Sequence, residues 1–549
     1  MSIFSSIRVR KPKRTAFDLS HEVKLTCDFG ELVPFFCQDV IPGDTFKVSV
    51  ETFVRFAPLI APVMHRVNVF THFFFVPYRL VWDEWREFIT GGEDGSAAPV
   101  FPRVSMSGVH GPSNDLGIGS LADYLGVPVG NGTASTSSNL KINLLPFRAY
   151  QLIWNEYYRD QNLQDEIDFS LASGIFDGSG YNGGSSNPNI HGCRECLELR
   201  NRCWEKDYFT SALPFPQRFP SPVTVPVNGT VDIFMKNSGR PGVFQSLDGT
   251  ELVQGSSVSV KNSNGNGQSQ IFAGEKQVQY NPNNTLFGQF NDSSNITINE
   301  LRRAFSLQRW LENNARAGSR YIEQILSHFG VRSSDARLQR PEYLGGGKTP
   351  VVISEVLQTS ETANSPQGNM AGNATSYGVS HSFKRFFEEH GIVLGILSIL
   401  PRSNYQDGLP KLFGKFDKFD YYFPEFAHLG EQEIKHYEAY CDLSKSLEDS
   451  ANSKLFGYTP RYAEYRFVNS SVHGFFRTDL NFWHLGRVFS KTNQPALNGS
   501  FVEVRAGNSS TGLNRIFAVE DTSYDRLWIQ MYVKFLALRP LPKYGTPGL

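Results

Sequence analysis

The segment Gly345-Gly346-Gly347-Lys348-Thr349 is the part of the chain that most resembles a phosphate-binding loop. Such a loop cradles phosphate with backbone N–H groups and needs a glycine five positions before the glycine that precedes the lysine. Here that position is Glu342. The loop must also lead into a helix, whereas Pro350-Val351-Val352-Ile353 has the pattern of an extended segment. The sequence therefore predicts a turn before a strand at this point.

A histidine and three cysteines, His191, Cys193, Cys196 and Cys203, form the group most similar to a zinc site. Imidazole and thiolate are the ligands that zinc prefers. If residues 194–204 form one helix, Cys193 and Cys203 lie roughly 15 Å apart along its axis, too far for one tetrahedral ion. We therefore interpret these cysteines as buried thiols on a helix face and predict no metal site and no cofactor.

Catalytic motifs are missing from the sequence. Neither a Gly-x-Ser-x-Gly elbow nor a His-Glu-x-x-His pair occurs. The adjacent residues Glu388-Glu389-His390 would point in different directions, which predicts a solvated turn. Carboxylates from distant loops can still form a glycosidase site, and sequence spacing does not exclude one. We predict no catalytic residue, and a carbohydrate-binding or glycan-cleaving β-sandwich remains the alternative function.

Residues 1–16 form a basic N-terminal arm. Five of the seven residues from Arg8 to Arg14 are Lys or Arg, and no acidic residue occurs before Asp18. Such a cluster neutralises phosphates without reading base sequence. The alternative is a solvated, disordered arm without a ligand. The predicted DNA-contact residues are Arg8, Arg10, Lys11, Lys13 and Arg14.

The composition of the 549 residues is that of a loop-rich β protein. Aromatic residues make up 13%, the 48 Gly and 30 Pro imply many turns, and the net charge is only −1, so overall disorder is excluded. The longest mostly apolar run, Gly391–Leu400, is about half of the roughly 20 residues that span a bilayer, so membrane insertion is not expected. No secretory signal is present, and six Cys predict reduced thiols in a chain folded in cytoplasm.

The periodicity of apolar residues predicts a mainly β fold with a few helices. The predicted strands are 46–56, 67–77, 392–400, 462–468, 501–505 and 527–538, the last of them central. The predicted helices are 80–89, 146–158, 194–204, one that opens at Thr297 with a capping box, and 320–329. Strands at both ends of the chain, with a long insertion between them, fit a Greek-key or jelly-roll sandwich.

Residues 221–298 form a compositional island between the two parts of this core, 17–220 and 299–549. The island contains no Trp and no Cys, and it is rich in Asn and Gly. Short alternating pieces at 257–260 and 278–280 predict small strands. Because a structureless loop of this length is improbable inside a compact domain, the sequence predicts a protruding subdomain.

Twelve segments, in order along the chain, resemble the major capsid protein of the Microviridae, especially the gokushovirus branch of small single-stranded DNA bacteriophages. These segments are Phe17–His21, Leu32–Pro34, Pro42–Phe46, Phe73–Trp82, Arg148–Tyr150, Ile153–Glu156, Arg159–Asn162, Asp207–Pro214, Ser327–Gly346, Phe456–Tyr458, Arg461–Arg466 and Tyr544–Leu549. The island is the part that matches least.

This resemblance implies an eight-stranded jelly-roll core that assembles as sixty copies into a T=1 icosahedral shell around circular single-stranded DNA. It implies a small basic internal DNA-binding protein and a host-cell receptor as further partners. The island would form protrusions at the threefold axes, with Asn262, Asn264 and Asn266 as candidate host-contact residues. The chain would then be found in the virion after assembly in the bacterial cytoplasm. Its function would be structural, through contacts between subunits, and not enzymatic.

Overall fold

The structure is a computed structural model of the chain. It describes residues 13–105, 117–128, 141–177, 190–192, 194–219, 223, 231–235, 244–246, 258–262, 269–273, 276–280, 286–290, 298–357, 370–379, 382–507, 512–519, 521 and 524–544. The chain divides into two compact units. The larger unit contains residues 1–218 and 312–549, and the smaller contains residues 219–311.

Strands provide most of the regular structure. They are β1 Thr15–Asp18, β2 His21–Cys27, β3 Val33–Val40, β4 Thr45–Phe56, β5 Val67–Pro77, β6 Arg103–Ser105, β7 Lys141–Asn143, β8 Ile175–Asp177, β9 Ile190–Gly192, β10 Val231–Met235, β11 Phe244–Ser246, β12 Val258–Asn262, β13 Ser269–Ala273, β14 Lys276–Tyr280, β15 Leu286–Phe290, β16 Glu342–Pro350, β17 Val352–Leu357, β18 Met370–Val379, β19 Phe383–Phe386, β20 Gly391–Pro401, β21 Asn404–Tyr405, β22 Glu431–Lys435, β23 Leu455–Pro460, β24 Ser470–Ser471 and β25 Leu527–Arg539.

The helices lie mostly in the connections between the strands. They are α1 Trp85–Thr90, α2 Leu121–Tyr124, α3 Leu145–Ile153, α4 Arg194–Leu197, α5 Ile298–Ala317, α6 Tyr321–Phe329, α7 His436–Ala439, α8 Ser450–Ser453 and α9 Gly499–Val502. A π-helical turn, Trp154–Tyr158, continues α3. Helix α6 ends at Gly330, whose left-handed backbone, with φ of 69°, closes the helix as predicted.

Two antiparallel sheets form the centre of the larger unit. Sheet I has seven strands: β1, β25, β4, β18 and β17 lie side by side in that order, β2 also pairs with β25, and β19 also pairs with β4. Sheet II has four strands in the order β16, β5, β20 and β3. Buried side chains of both sheets share one apolar core, which makes the larger unit a mainly β sandwich. The eight-stranded jelly-roll arrangement stays a prediction.

Strand β25 lies in the interior of sheet I, as its apolar sequence predicts. It pairs with β4 from Leu527 opposite Phe56 to Leu538 opposite Thr45, and along its other edge it pairs with β2 and β1. Its residues alternate strictly between buried and exposed. Sheet I therefore turns one face to the core and leaves the other face open to solvent.

Strands β5 and β20 of sheet II are buried on both faces, as the three successive Phe at 73–75 predict. Phe73 and Phe75 point into the core shared with sheet I, whereas Phe74 points into a second core. In β20, Val393 points into the core shared with sheet I and Leu394 points into the second core. The second core contains α3, so sheet II is covered by sheet I on one side and by helical connections on the other.

The smaller unit is described mainly through its strands. β10 pairs with β15, and β11, β14, β13 and β12 form a four-stranded antiparallel sheet in that order. β12 and β14 confirm the two short strands predicted for the island. The interval 221–298 lies within this unit, and its protrusion stays a prediction.

Three predictions for local structure were wrong, two of them because tertiary pairing prevailed over the local pattern. The glycine-rich segment 345–349 is not a turn, because it lies inside β16 and pairs with β5. Residues 80–89 do not form one helix: a 3-10 turn, Tyr78–Leu80, precedes α1. The helix predicted for 194–204 ends at Leu197, because the backbone beyond it pairs with Gly30 and Leu32.

Two strands predicted near the C-terminus were also wrong. Residues 462–468 contain a 3-10 turn, Ala463–Tyr465, entered through Tyr462 with a left-handed φ of 61°. Residues 501–505 begin inside α9, because the Asn498 side chain accepts a hydrogen bond from the Phe501 N–H and caps that helix. In both places a local polar or backbone signal prevailed over the apolar pattern.

Candidate assembly surface

The connection between β21 and β22 exposes an unusual number of large apolar side chains. It contains three consecutive 3-10 turns, Lys411–Gly414, Lys418–Asp420 and Pro424–Phe426. We call its exposed side chains the aromatic surface; they are Leu412, Phe413, Phe416, Phe419, Tyr421, Tyr422, Phe423 and Leu429. Phe416 is the most exposed of them, at 82%.

Polar contacts beneath the aromatic surface fix its backbone to the rest of the larger unit. Lys415 Nζ lies 3.0 Å from Glu464 Oε1 and 4.2 Å from the centre of the Tyr465 ring. The Tyr462 hydroxyl donates to the Tyr421 carbonyl oxygen at 3.3 Å. The Lys415 side chain is nearly inaccessible and paired, so its ammonium group faces inward while the neighbouring Phe416 ring faces solvent.

An exposed cluster of aromatic side chains of this kind is typical of a protein–protein interface. Aromatic residues provide a large contact area at little cost in rotamer entropy, and they are enriched where interfaces are buried. Contiguous apolar patches on a subunit mark sites of association. Sequence reasoning missed this surface, because its aromatic residues follow neither the period of a strand nor that of a helix. Their density between residues 412 and 426 was the available signal.

The predicted DNA-contact residues fall at the edge of the described structure. Lys13 and Arg14 are exposed directly before β1. The Arg14 guanidinium lies 5.0 Å from the centre of the Phe386 ring, which holds this end of the arm against β19. Arg8, Arg10 and Lys11 lie outside the described residues.

Of the predicted host-contact residues, one lies in a described strand. Asn262 is the last residue of β12 and pairs with Ser269 of β13, so it stands at the end of a hairpin. Asn264 and Asn266 lie outside the described residues. Host contact by these three positions stays a prediction.

The cysteines and histidine weighed as zinc ligands do not form a site in the part of the chain that the structure describes. Cys196 is buried on α4, and burial raises the pKa of its thiol to about 12. Cys203 lies beyond the end of that helix, half-buried, and its thiol donates to Gln164 Oε1 at 3.3 Å. Cys193 lies outside the described residues. Within the described ranges, no three His, Cys, Asp or Glu side chains are placed to hold a metal ion.

Three acidic side chains lie close together where β2 ends and β25 begins. Burial, with the charges of Asp525 and Asp28, raises the pKa of Glu31 to about 7. Burial also raises the pKa of Asp28. The Thr26 hydroxyl donates to Asp525 Oδ2 at 2.6 Å, and Glu31 Oε2 accepts from the Asp28 N–H at 2.8 Å. A raised carboxyl pKa is also a feature of general acids.

A mainly β sandwich with a rigid, outward-facing aromatic surface is typical of a structural protein that works by association. The comparison with known sequences is more specific. The chain belongs to the capsid protein (F protein) family, whose sequence profile matches residues 5–549.

Individual relatives agree with this assignment along the whole chain. Capsid protein VP1 of Chlamydia phage 1 is 36% identical, with 100% of this chain and 97% of the relative covered. Capsid protein VP1 of Bdellovibrio phage phiMH2K is 35% identical, with 99% and 97% covered. Capsid protein VP1 of Spiroplasma virus 4 is 29% identical, with 100% and 97% covered.

Family membership confirms the resemblance to Microviridae capsid proteins. The chain is a capsid protein: it self-assembles into a shell, is found in the virion and has a structural, non-enzymatic role. The glycan-cleaving alternative is therefore set aside. None of the helices in the described ranges has the length and apolar composition needed to cross a bilayer.

Proposed function

We propose that sixty copies of this chain form a T=1 icosahedral shell that encloses a circular single-stranded DNA genome. The observation that carries the proposal is the match to phage capsid proteins over the full length of the chain. The aromatic surface supports it physically, because each subunit must bury area against several neighbours and permanent interfaces reach thousands of Å². A net charge of −1 per chain limits repulsion among identical copies.

The basic arm supports contact with the genome from inside this shell. Its cluster of Lys and Arg neutralises phosphates irrespective of base sequence. We place Arg8, Arg10, Lys11, Lys13 and Arg14 on the luminal side. A small basic internal protein would share the neutralisation of the DNA, since the subunit itself has a net charge of −1.

Residues 221–298 are proposed to form the outward protrusions at the threefold axes and to make the host contact. The interval lies in a compact unit separate from the sandwich, which supports a module with its own role. Its polar, turn-rich sequence is typical of loops that carry recognition. Assembly is proposed to occur in the bacterial cytoplasm, where the cysteines of the chain remain reduced.

Particles produced from this chain test the proposal. The chain is expressed in bacteria together with the accessory proteins of a gokushovirus, and the product is examined by cryo-electron microscopy and charge-detection mass spectrometry. We expect closed particles of sixty copies with outward projections, containing DNA that resists exonuclease and is sensitive to a single-strand endonuclease. Only monomers, or shells of another copy number, would contradict the proposal.

A further inference from the structure

A cavity of about 880 Å³ opens in the larger unit beside β5 and β16. The π-helical turn after α3, the segment 202–206 and the connection between α5 and α6 complete its walls. This volume is within the range of small-molecule binding sites. Much of the lining is aromatic. The aromatic side chains in it are His72, Phe74, Tyr157, Tyr158, Trp204 and Tyr343.

Arg202 places a guanidinium in this cavity. Its Nη1 donates to Ser398 Oγ at 2.9 Å, and its Cζ lies 4.1 Å from the centre of the Phe70 ring. Its backbone is held on both sides, since its N–H donates to the Gly30 carbonyl and its carbonyl accepts from the Val504 N–H. Burial lowers the pKa of Arg202 below its ordinary value. A rigidly held, desolvated cation is costly unless an anion compensates it.

Arg202 differs from the other charged residues of the cavity in having no charged partner. In the described part of the chain, every other charged lining residue forms an ion pair within 4.0 Å. These pairs are Lys206–Asp160, Arg159–Glu166, Arg316–Glu431, Arg320–Glu323, Glu205–Lys348 and Asp335–Arg340. For Arg202 the described residues provide no carboxylate within 4.0 Å, and its Nε and Nη2 have no hydrogen-bond partner there. The charge of Glu205 favours the Arg202 cation from a longer distance, but Glu205 forms its ion pair with Lys348. The cavity therefore contains one buried cation without an ion-pair partner of its own.

The ring wall next to Arg202 is uncharged at neutral pH. Burial, with the charge of Arg202, lowers the pKa of His72 to about 3, so the imidazole is neutral. The His72 and Tyr158 rings are stacked with centroids 5.9 Å apart, and the His72 Nδ1 lies 2.8 Å from the Tyr158 hydroxyl oxygen. The Tyr343 ring stands 5.9 Å from His72 at an interplanar angle of 72°. Tyr343 is 47% exposed, so this wall is accessible from the open side.

The glycine-rich segment of β16 makes this wall possible. Gly346 lies opposite His72 in the β16–β5 pairing. A Cβ at Gly346 would lie 2.5 Å from the Thr71 carbonyl oxygen, 2.6 Å from His72 Cδ2 and 2.6 Å from the Tyr343 hydroxyl oxygen. Any larger residue at this position would displace the rings. Gly346 thus serves the cavity by leaving space for these side chains.

We propose that this cavity binds a nucleotide, with its phosphate at the Arg202 guanidinium and its base against the Tyr343 and His72 rings. A guanidinium with two unpaired donors matches a phosphate in a bidentate geometry. Flat bases stack on aromatic side chains irrespective of sequence. A free nucleotide and a single unit of a DNA strand share this chemistry. The inference deepens the proposed function. It rests on the proposed enclosure of the genome only if the ligand is part of a DNA strand, and a free nucleotide does not require that enclosure.

Equilibrium dialysis with the purified full-length chain tests the proposal. The probes are dTMP, deoxythymidine, inorganic phosphate and a four-residue oligothymidylate. We expect dTMP to bind at least ten times more tightly than either deoxythymidine or phosphate, because only dTMP engages both parts of the site. Oligothymidylate that binds as well as dTMP identifies a DNA strand as the source, and binding of dTMP alone identifies a free nucleotide; both results support the proposal.

Variants of Arg202 separate ligand binding from a structural role. Arg202→Met is expected to weaken dTMP binding at least tenfold. Arg202→Lys keeps the positive charge but cannot form a bidentate contact with phosphate, and it is expected to weaken binding less. Thermal unfolding without ligand is measured in parallel. Arg202→Met should unfold at the same temperature as the parent chain or higher, because it removes an uncompensated buried charge. Arg466→Met, which removes an exposed arginine outside the cavity, is the matched control and should change neither measurement.

Three results would overturn the inference: no binding of dTMP, equal binding to the parent chain and to Arg202→Met, or equal affinities for dTMP and inorganic phosphate. A large fall in the unfolding temperature of Arg202→Met would assign Arg202 to structure and also count against the inference. The binding measurement needs no particle. Its failure is therefore distinct from failure of the shell proposal, which is judged by copy number and enclosed DNA.

Discussion

The ring of Phe36 on β3 meets the ring of Phe535 on β25 edge to face, with centroids 5.3 Å apart and planes at 85°. β3 belongs to sheet II and β25 to sheet I, so this contact joins the two sheets across their shared core. Phe535 also packs against Phe46 of the neighbouring strand β4, at a centroid distance of 4.8 Å. Aromatic ring contacts therefore help to hold the two sheets together across their shared core.

Replacing Phe535 by Ala should destabilise the subunit strongly. We expect Phe535→Ala to lower the free energy of unfolding by about 3–5 kcal/mol, because it removes a buried ring and leaves a cavity between the sheets. Denaturant unfolding of the unassembled chain measures the change. The neighbouring residue Leu536 faces solvent and supplies the control: Leu536→Ala should change the free energy by less than about 1 kcal/mol. Equal losses in both variants would contradict the described sandwich.

The acidic cluster predicts a stability that depends on the protonation of Glu31. The folded subunit raises the pKa of Glu31 from 4.5 to about 7. Between these two pH values the folded chain holds a proton that the unfolded chain releases, so stability falls as pH rises through this window. Below this window Glu31 is protonated in both the folded and the unfolded chain, so its titration does not change the stability. Above the window Glu31 is ionised in both states, and the stability is lower by the full cost of burying its charge.

The variant Glu31→Gln should remove this penalty. We expect it to unfold at a higher temperature than the parent chain at pH 8, with a gain of roughly 3 kcal/mol at most, and to show no advantage at pH 4.5. Thermal unfolding over this pH range is the measurement. Glu22→Gln, on the exposed part of β2, is the control and should change little at either pH. A gain that does not depend on pH would rule out titration of Glu31 as the cause.

The aromatic surface predicts a specific defect in assembly. We expect Phe416→Ser to leave the unfolding temperature of the subunit unchanged and to raise the protein concentration needed for particle formation by tenfold or more. Loss of a buried ring costs about 1.5–3 kcal/mol per subunit, and each 1.4 kcal/mol is a factor of ten. Light scattering during assembly measures the threshold. Leu443→Ser, at a side chain that is 92% exposed outside this surface, should assemble normally. If both variants assemble alike, the surface is not an interface.

Neutralising the basic arm should weaken DNA retention. With Arg8, Arg10, Lys11, Lys13 and Arg14 replaced by Gln, we expect particles to release DNA at lower salt and to show a flatter salt dependence. The slope should fall by up to about 0.7 for each lost phosphate contact with a single strand. Exchanging Arg for Lys and Lys for Arg at the same positions conserves charge and should preserve the slope. An unchanged slope in the Gln variant would exclude the arm from DNA contact.

Deleting the island tests the proposed host contact. Particles lacking residues 221–298 should assemble, because the sandwich core lies in the other unit, and should lose adsorption to host cells. A milder variant with Asn262, Asn264 and Asn266 replaced by Ala should assemble fully and adsorb less. Adsorption is measured as loss of free particles from suspension with cells. Normal adsorption of the deleted particles would disprove a receptor role for the island.

The sheets could be predicted from the sequence because their signal is periodic and repeated. Alternation in β4 and the run of three Phe in β5 reflect burial on one face and on two faces, and both were confirmed. The error at Phe501 has a different origin. There one capping bond from Asn498 decides the conformation of a four-residue helix, and a short apolar run contains no information about it.

The surfaces were harder to predict than the sheets because exposure depends on the tertiary structure. Phe416 and Phe535 are the same residue type and both directly follow a lysine, yet one is 82% exposed and the other is 1% exposed. The cavity around Arg202 was equally hidden, since its walls come from residues 72, 158 and 343, which are far apart in the sequence. Local spacing reports secondary structure well, but it does not report which distant side chains meet.

The position of β25 between the N-terminal strands and β4 has a consequence for biosynthesis. Residues 527–539 are synthesised after the other six strands of sheet I, and until then β1 and β2 lack the strand that they pair with. A polypeptide terminated before residue 527 therefore lacks an interior strand of sheet I and leaves the edge of β4 unpaired along its length. We expect such truncated copies to be recognised by chaperones and proteases and to be excluded from the virus particle.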